Sequence, residues 1–393
     1  MSRLRIAFIG LRGVPAKEGG IERHVEELGA RLAERGHHVT VFCRRNYVAE
    51  KVAQHRGMHL RYVPSIGTKH LDFIAPSAMS SLLVLGGSYD IVHYHAIASG
   101  LVAPLPRYLS RSKVVLTVHG LDYARAKWTG IARIALKLAE PLSARVPNAT
   151  IAVSQALADH YAKKLGRPAA YIPNGMPESD IRPLGEISRR LGLDNAPYFL
   201  FVGRLVPEKA PDLLLRAFAK VPGDVRLVIA GSSGFSDSYA DLVRRTAATD
   251  PRVVMAGGVY GTDLSELYSN AAAFILPSSL EGLPITLLEA IAHHAPVIVS
   301  DIAPHLEVAG RDGTGHHIVP QGDPQALTAA MLRVLHDPDG ERRAAASFAG
   351  EVAGRYSWEA AATATEAVYE RVLGRRSVLG RSVSTPVAAP PLE

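Results

Sequence analysis

The chain has 393 residues, of which 47% are hydrophobic and 21% charged, and its formal net charge is +7. This length exceeds what one ordinary hydrophobic core organises, so we expect two globular domains. A basic balance suits nucleic acid, an anionic membrane or a phosphorylated substrate, but the basic residues are spread out and no zinc-finger or RNP-type motif accompanies them, which argues against nucleic acid.

The first half of the chain alternates short β-rich runs with helical segments. The opening run, 6–9, predicts a buried strand and is too short for a signal peptide. An amphipathic segment at 21–35 predicts a helix. This alternation is typical of a parallel, doubly wound α/β sheet. The predicted strands of this half are 6–9, 39–42, 60–63, 91–94, 114–118 and 150–153.

Two local features bear on the environment of the protein. The one cysteine, Cys43, excludes an internal disulfide framework and fits a reducing compartment, so we expect a cytoplasmic protein. The uncharged run 73–88 contains Pro76 and several serines and glycines. It is too short and too polar to span a bilayer.

After a turn-rich stretch at 171–177 the alternation of strands and helices begins again. We expect an N-terminal Rossmann-like domain at 1–175, a C-terminal one at 176–355, a last helix at 356–374 that returns to the first domain, and a disordered tail at 375–393. The predicted strands of the second half are 198–202, 225–229, 253–255, 273–276, 297–299 and 317–319. Its predicted helices are 212–220, 238–248, 263–270, 286–293 and 324–335.

Two strand ends of the first domain carry candidate functional residues. The loop 10–20 contains Gly19 and Gly20 and precedes a helix, where glycines let the backbone approach a ligand and the helix N-terminus favours phosphate. Its spacing matches neither the dinucleotide fingerprint nor the P-loop, and an ordinary strand–helix loop is the alternative. His119 follows another strand, and Gly120 leaves room beside it.

The second domain carries four such strand ends. Arg204 and Lys209 follow the strand 198–202 and could converge on a diphosphate, the arginine as a planar fork and the lysine as a point charge. The alternative is a solvated basic loop. Gly231 ends the next strand, and the segment 255–260 contains two more glycines. The fourth strand end leads into the stretch described next.

The stretch 281–289 places two carboxylates eight positions apart, around a proline-containing turn and an apolar helix. Glu281 precedes the helix, and Pro284 suits its first turn, where N–H groups lack a helical partner. Glu289 lies on an apolar segment, where a buried carboxylate needs a partner. On the alternative interpretation Glu281 is solvated and Glu289 pairs with His293. The amides that would face an anion at the helix start are those of Leu283, Ile285 and Thr286.

These motifs closely resemble those of retaining GT-B glycosyltransferases of the family-4 type. In the first half, the segments 12–20 and 117–122 look like a subgroup of sugar transferases in bacterial envelope and exopolysaccharide pathways. The resemblance extends from Arg5 to about Leu373. It implies an α/β fold of the GT-B class, with two Rossmann-like domains facing each other across a donor-binding cleft. The matching motifs of the second half are 203–209, 229–231, 273–278, 281–290 and 296–301.

The resemblance implies a role for each candidate residue in handling a nucleotide diphosphate sugar. Glu281 would bind hydroxyls of the donor sugar, and Glu289 the ribose hydroxyls. Arg204 and Lys209 would neutralise the diphosphate, and His119 would lie beside the donor sugar. The expected catalytic set is His119, Arg204, Lys209 and Glu281. The expected donor-binding set is Gly19, Gly20, Gly231, Val259 (through its backbone to the base), Leu283, Pro284, Ile285, Thr286 and Glu289.

The reaction implied by the resemblance moves a hexose from the donor to an acceptor hydroxyl with retention of configuration, for a cell-surface polysaccharide or glycolipid. The acceptor would be a sugar, a lipid-linked sugar or a small molecule, and UDP is favoured over GDP from family frequency. Neither a metal nor a cofactor is implied, because fixed cations and helix dipoles offset the leaving charge. Glycosylation of a natural product, a GT-B sugar-nucleotide epimerase and a sugar-nucleotide-binding protein without turnover are the alternatives.

The helix that carries Glu289 departs from the family pattern at its end. The family usually has a small residue and a glycine where His293 and His294 stand here, which obscures the end of that helix.

The stretch 123–138 is basic and amphipathic. In one interpretation it is a helix with Ile131, Ile134 and Leu138 facing the core and Arg133 and Lys137 facing solvent. In the other, the stretch is a surface that brings the enzyme to an anionic membrane and a lipid-linked acceptor, at the inner face of the cell membrane.

Overall fold

The computed structural model describes residues 3–17, 19–47, 51–65, 71–121, 123, 130–193, 196–232 and 237–375. These residues divide into two compact units, each built on its own sheet. The first unit consists of the described residues of Met1–Tyr123, Gly130–Pro173 and Trp358–Glu393, and the second runs through Asn174–Ser357. The predicted tail lies outside the described residues, except for Arg375.

The first unit is built on an eight-stranded sheet in the order β3-β4-β2-β1-β5-β6-β7-β8. Every pair is parallel except the short β3–β4 pair. The strands are β1 Arg5–Ile9, β2 His38–Arg44, β3 Gln54–His55, β4 Met58–Val63, β5 Ile91–His95, β6 Lys113–Val118, β7 Ala149–Ala152 and β8 Ala170–Tyr171. The helices are α1 Gly20–Glu34, α2 Leu71–Leu85, α3 Pro104–Leu109, α4 Gly130–Arg145 and α5 Gln155–Leu165, with a 3-10 helix at Ile97–Val102.

The central strands of this sheet are buried along nearly their whole length. All five residues of β5 are buried, as a parallel strand covered on both faces requires. The last helix of the chain, Trp358–Val372, belongs to this unit and contacts the C-terminal end of α1. There Glu366 accepts from the guanidinium of Arg35, and one of its oxygens lies 2.8 Å from Nε2 of His37.

The second unit is built on a six-stranded, fully parallel sheet in the order β11-β10-β9-β12-β13-β14. Its strands are β9 Tyr198–Val202, β10 Arg226–Ala230, β11 Val253–Gly257, β12 Ala273–Leu276, β13 Val297–Ser300 and β14 His316–Val319. Its helices are α6 Glu186–Arg190, α7 Pro211–Phe218, α8 Asp237–Ala247, α9 Gly261–Asn270, α10 Ile285–Ala292, α11 Ala303–Ala309, α12 Pro324–His336 and α13 Pro338–Ala353, with a 3-10 turn at Pro207–Lys209; the last helix is α14, Trp358–Val372.

The predicted fold class, two α/β domains with Rossmann-like parallel sheets, is confirmed. The predicted strands all occur, with ends shifted by at most two residues. The sequence did not indicate the two-residue strands β3 and β8, nor the helices α6, α11 and α13 of the second unit. Helix α13 is rich in alanine, glycine and charged residues, which weakens its apolar periodicity. Among the described residues, no helix is both long enough and apolar enough to cross a membrane.

Candidate functional site

Two loops of the second unit are joined at the carboxyl ends of neighbouring strands. Strand β9 leads into the 3-10 turn that carries Lys209, and β12 leads into the loop that carries Glu281. The amide of Ser279 donates to the carbonyl of Glu208 at 2.8 Å, which ties one loop to the other. Parallel strands bring their carboxyl ends to one edge of a sheet, so residues 72 positions apart in sequence become neighbours.

Lys209 and Glu281 form an ion pair. The ammonium Nζ of Lys209 lies 2.6 Å from Oε1 of Glu281, with 15% and 10% of the two side chains exposed. The hydroxyl of Ser278 donates to the same carboxylate oxygen at 2.8 Å. Glu281 is therefore not a solvated loop residue, and the alternative interpretation of it is wrong.

The ion pair controls the protonation of Glu281. Burial acts to raise the pKa of this carboxyl, but the positive charge of Lys209, with smaller contributions from His305 and Ser278, outweighs it, and the pKa lies below its ordinary value. At neutral pH the group is therefore an ionised hydrogen-bond acceptor. Such a group can bind hydroxyls but holds no proton to donate.

His305, on α11, is a neighbour that the sequence did not reveal. Its Nδ1 lies 2.9 Å from the carbonyl oxygen of Ser300, whose hydroxyl in turn donates to the carbonyl of Ser278. Burial lowers the pKa of His305 to about 4, although the charge of Glu281 acts in the opposite direction. Its Nε2 is buried without a hydrogen-bond partner. A neutral imidazole thus lies behind the Ser278–Glu281 loop.

Helix α10 presents two polar residues on one otherwise buried surface. Thr286 and Glu289 are its only partly exposed residues, and residues three apart lie on the same face. The hydroxyl of Tyr268 donates to Glu289 at 3.2 Å, and the hydroxyl of Thr286 has no partner. His293 does not pair with the carboxylate of Glu289; its Nδ1 donates to the backbone carbonyl of that residue at 2.7 Å.

The start of α10 differs slightly from the expectation. Pro284 is the N-cap residue and Ile285 the first helical residue, and no side chain caps the helix. The carbonyl of Leu283 accepts from Nδ2 of the buried Asn174 at 3.0 Å, so the turn before the helix is held from the segment that opens the unit. Asn174 is a positioning residue that the sequence placed only in a turn-rich stretch.

The end of α10 explains the departure from the family pattern. His294 has φ 57°, a left-handed conformation that glycine adopts without strain. Its amide donates to the carbonyl of Ile291 at 3.0 Å, and that of Ala295 donates to Ala290 at 3.1 Å. The histidine therefore occupies a helix-ending position that the family usually fills with glycine.

The remaining predicted residues of the second unit also follow strands. Arg204 is half-buried after β9, and Val259 is buried after β11. Gly231 follows β10, where an added Cβ would lie 1.8 Å from the carbonyl oxygen of Gly203. Glycine is thus required at 231 because two strand ends approach each other there.

In the first unit the glycine loop is closed by an ion pair. Gly19, with φ 99°, is the N-cap of α1, which begins at Gly20. Glu22, in the first turn of α1, accepts from the backbone amide of Arg12 at 3.0 Å and from its Nε at 3.2 Å. Glycine is favoured at position 19 because a side chain is strained at this positive φ, and a Cβ there would also displace the carboxylate of Glu22.

Three histidines of the first unit meet beside this loop. His119 follows β6, His95 ends the neighbouring β5, and His24 lies on α1. Nδ1 of His95 lies 3.1 Å from Nε2 of His119, and the rings of His24 and His119 are 4.6 Å apart, edge to face. Burial lowers the pKa of His95 well below its ordinary value. Because β5 and β6 are adjacent parallel strands, their order could have revealed His95 from the sequence.

The predicted site residues therefore form one group in each unit. Glu281 and Lys209 are in contact, and Arg204, Gly231, Val259 and the residues 283–289 belong to the same unit. Gly19, Gly20 and His119 belong to the other. The stretch 124–129, which contains Arg125, Lys127 and Trp128, lies outside the described residues, as do the side chains of Ile131 and Arg133.

Two family models match the chain. The model described as "Glycosyltransferase Family 4" matches residues 18–179, and "Glycosyl transferases group 1" matches residues 185–351. The D-inositol 3-phosphate glycosyltransferase of Geodermatophilus obscurus is 30% identical over 390 residues, covering 89% of this chain and 84% of the relative. A GDP-mannose-dependent α-(1-6)-phosphatidylinositol monomannoside mannosyltransferase of Mycolicibacterium smegmatis is 29% identical, covering 87% of this chain and 91% of the relative.

The fold is shared with solved structures at low sequence identity. Anabaena HepE, in a complex with UDP-glucose, superimposes with a TM-score of 0.78 at 17% identity. The similarity covers 94% of this chain and all of the other one. The GT-B fold expected from the sequence therefore applies to this chain.

Proposed function

The chain belongs to glycosyltransferase family 4, and from this premise we propose that it transfers a hexose from a nucleotide diphosphate donor to an acceptor hydroxyl, with retention of configuration. The second unit binds the donor. The acceptor is a growing cell-surface polysaccharide or glycolipid. UDP is proposed as the nucleotide, although one similar enzyme is described as GDP-mannose-dependent.

The Lys209–Glu281 ion pair is the observation that carries this proposal. An ionised, nearly buried carboxylate suits sugar hydroxyls, and the lysine beside it suits the diphosphate. When a donor binds, its hydroxyls donate to Glu281 while Lys209 and Arg204 neutralise the leaving diphosphate. Pre-organised charge of this kind stabilises a transition state in which negative charge develops on the leaving group.

Helix α10 supports the same assignment. Glu289 and Thr286 lie one turn apart on its partly exposed face, and the helix begins without a side-chain cap. We assign the ribose hydroxyls to Glu289 and the diphosphate to the amides at the start of the helix, where the dipole favours negative charge. In the first unit, His119 and the amide of Gly20 are assigned to the donor sugar and the diphosphate.

Nucleotide-sugar binding tests the proposal directly. Thermal unfolding of the full chain is measured with UDP-glucose, UDP-galactose, GDP-mannose and ADP-glucose, because a ligand that binds only the folded state raises its Tm. One donor is expected to raise the Tm, and Glu289→Ala to remove most of that rise. Release of nucleotide diphosphate with that donor is then measured. Binding without any turnover, with or without acceptors, would leave only a binding protein.

The acceptor side of the proposal involves a membrane surface. The expectation that Ile134 and Leu138 of α4 face the core is wrong: 59% and 68% of these residues are exposed. Leu142, one further turn along, is 42% exposed, so three apolar residues spaced by four form one exposed stripe, and Lys137 beside it is exposed too. Such a stripe with a lysine beside it suits the interface of an anionic bilayer.

Flotation with vesicles of phosphatidylcholine and phosphatidylglycerol tests this contact. The wild-type chain is expected to float with the vesicles, and the double variant Ile134→Glu/Leu138→Glu to remain in the soluble fraction. Leu332→Glu, at a 40% exposed leucine of α12, is the matched control and should float like the wild type. Equal behaviour of all three proteins would remove the membrane from the proposal and leave the donor site unaffected.

A further inference from the structure

Three imidazoles of the first unit converge closely enough to share one ion. A ring nitrogen from each of His24, His95 and His119 lies within 4.8 Å of the other two. Two nitrogens bound to one tetrahedral zinc ion are roughly 3.4 Å apart, given Zn–N distances of about 2.0–2.1 Å. The His95–His119 separation of 3.1 Å is already close to that value, so these two imidazoles need little movement to bind one ion.

We propose that His24, His95 and His119 form a binding site for a divalent transition-metal ion, with zinc as the ion that fits best. Three imidazoles are a common ligand set for zinc, and they leave a fourth position for water or a hydroxyl. Histidine, cysteine, aspartate and glutamate side chains can all bind metals. Among those of the described residues, these three histidines are the group whose geometry suits a metal ion.

The surroundings of the cluster suit a bound metal ion. His95 is fully buried, and its Nδ1 faces Nε2 of His119 at 3.1 Å. Phe8 and Trp358 enclose the group: the ring of Phe8 lies 5.2 Å from that of His95, and Trp358 lies 5.6 Å from His24. A low-dielectric wall of this kind strengthens coordination, while the half-buried His119 keeps the site open to solvent.

Binding requires a single proton rearrangement. The hydrogen bond between Nδ1 of His95 and Nε2 of His119 contains one ring proton. That proton moves to the far nitrogen of its own ring, so that both facing nitrogens can donate a lone pair to the ion. Nε2 of His95 is buried without a hydrogen-bond partner, and it is available to carry the proton. No ring changes its charge in this step.

Zinc binding to the tag-free, metal-stripped full chain tests the site without any reference to catalysis. Competition with a chromophoric chelator is expected to show one equivalent of Zn²⁺ per chain. Removal of one ligand in His24→Gln or His95→Gln should weaken binding by about 100-fold or more, because even the loss of a residue that only orients a ligand weakens metal binding by roughly 10- to 100-fold. Co²⁺ in place of zinc should give the visible absorption of a tetrahedral nitrogen site, and both variants should lose it.

The control removes two other imidazoles of the same unit. His38 and His59 stack with ring centroids 4.4 Å apart, and neither belongs to the cluster. The double variant His38→Gln/His59→Gln is expected to bind zinc like the wild type. Unchanged affinity in both cluster variants, each checked for folding by its metal-free Tm, would overturn the proposal. Loss of affinity in the control variant would do the same.

A second measurement rests on the proposed transferase function. Because His119 is assigned to the donor sugar, bound zinc should inhibit turnover over the same concentration range in which it binds, and a chelator should restore activity. His95→Gln should require about 100-fold more zinc for the same fractional inhibition of its residual activity. If zinc binds as expected but does not inhibit, the metal site stands and the role of His119 is wrong.

Discussion

The two units organise their polar strand ends by opposite electrostatic means. In the first unit, two histidines of β5 are held neutral by burial, which lowers the pKa values of His93 and His95 well below the ordinary range. In the second, burial of Glu281 is offset by the charge of Lys209, and the carboxyl stays ionised. Neutral imidazoles suit ligands that form hydrogen bonds through uncharged groups. They also suit metal ions, which bind an imidazole lone pair. The ion pair suits a ligand with hydroxyls at one end and phosphates at the other.

The largest expected effect tests the charged unit. Replacement of Lys209 by methionine, or of Glu281 by glutamine, should lower kcat/KM by about 100- to 1,000-fold, because each removes pre-organised charge from the proposed transition state. Lys163→Met, at a lysine whose side chain is 79% exposed, is the control and should leave turnover unchanged. The measurement is release of nucleotide diphosphate with the donor identified by thermal shift.

The same assay compares how much each unit contributes to catalysis. If His119→Ala lowers kcat/KM more than Lys209→Met, the first unit contributes more to catalysis than the ion pair of the second. If both charged-site variants turn over at near-normal rates, the donor assignment in the second unit is wrong. Each variant is compared at equal folded fraction, since Lys209→Met leaves Glu281 nearly buried without its cation.

The second prediction concerns the backbone that sets these strand ends. Gly231→Ala should destabilise the second unit by about 3 kcal/mol, because the new methyl group meets the carbonyl oxygen of Gly203, a backbone atom that cannot rotate away. Gly350→Ala, in an open position of α13, is the control and should stabilise by up to about 1 kcal/mol. Urea unfolding measures both. A Gly231→Ala protein as stable as the wild type would contradict the close strand approach.

The third prediction concerns pH. The pKa of His305 is about 4 in the folded chain and about 6.5 when unfolded, so the unfolded state binds more protons between these values and stability falls as pH decreases through this window. Between pH 6.5 and 4.5 the loss should be about 2 kcal/mol for this group. His305→Gln should reduce the stability lost between these two pH values by that amount, and so flatten the dependence of stability on pH. Equal slopes for variant and wild type would show that His305 is not held neutral.

The smallest expected effect isolates one hydroxyl. Thr286→Val should leave stability unchanged or slightly higher, because the hydroxyl has no partner in the free chain. It should weaken donor binding by about tenfold, the value of roughly one hydrogen bond. Thr328→Val, whose hydroxyl donates to two backbone carbonyls, is the control and should lower stability without affecting donor affinity. Unchanged donor affinity in Thr286→Val would show that the hydroxyl of Thr286 does not contact the donor.

Much of the fold followed from local pattern. The boundaries of β9 and β12 were predicted to the residue, because continuous apolar runs bounded by turns leave little choice of structure. The helix at α10 and the position of Glu281 before it followed from the proline and the apolar spacing. Helix α13 did not follow, since its stability comes from packing rather than from a clear apolar stripe.

The candidate site was predictable as a set of strand-end residues but not as a network. The sequence indicated Lys209, Glu281 and His119 because parallel sheets expose their strand ends. It did not indicate that Lys209 and Glu281 contact each other, that Asn174 holds the carbonyl of Leu283, or that His305 lies behind Glu281. These contacts join residues from 24 to 109 positions apart, with the His305–Glu281 pair as the shortest.

The sequence by itself therefore determined the fold class, the order of the elements and the residue types at each strand end, since these depend on local periodicity and turn chemistry. The tertiary structure alone decided which of those residues meet and in what state of charge. Burial and a neighbouring cation set the pKa of Glu281, and burial among aromatic rings keeps His95 neutral. Desolvation and charge pairing depend on distances in space, and those distances exist only once the chain has folded.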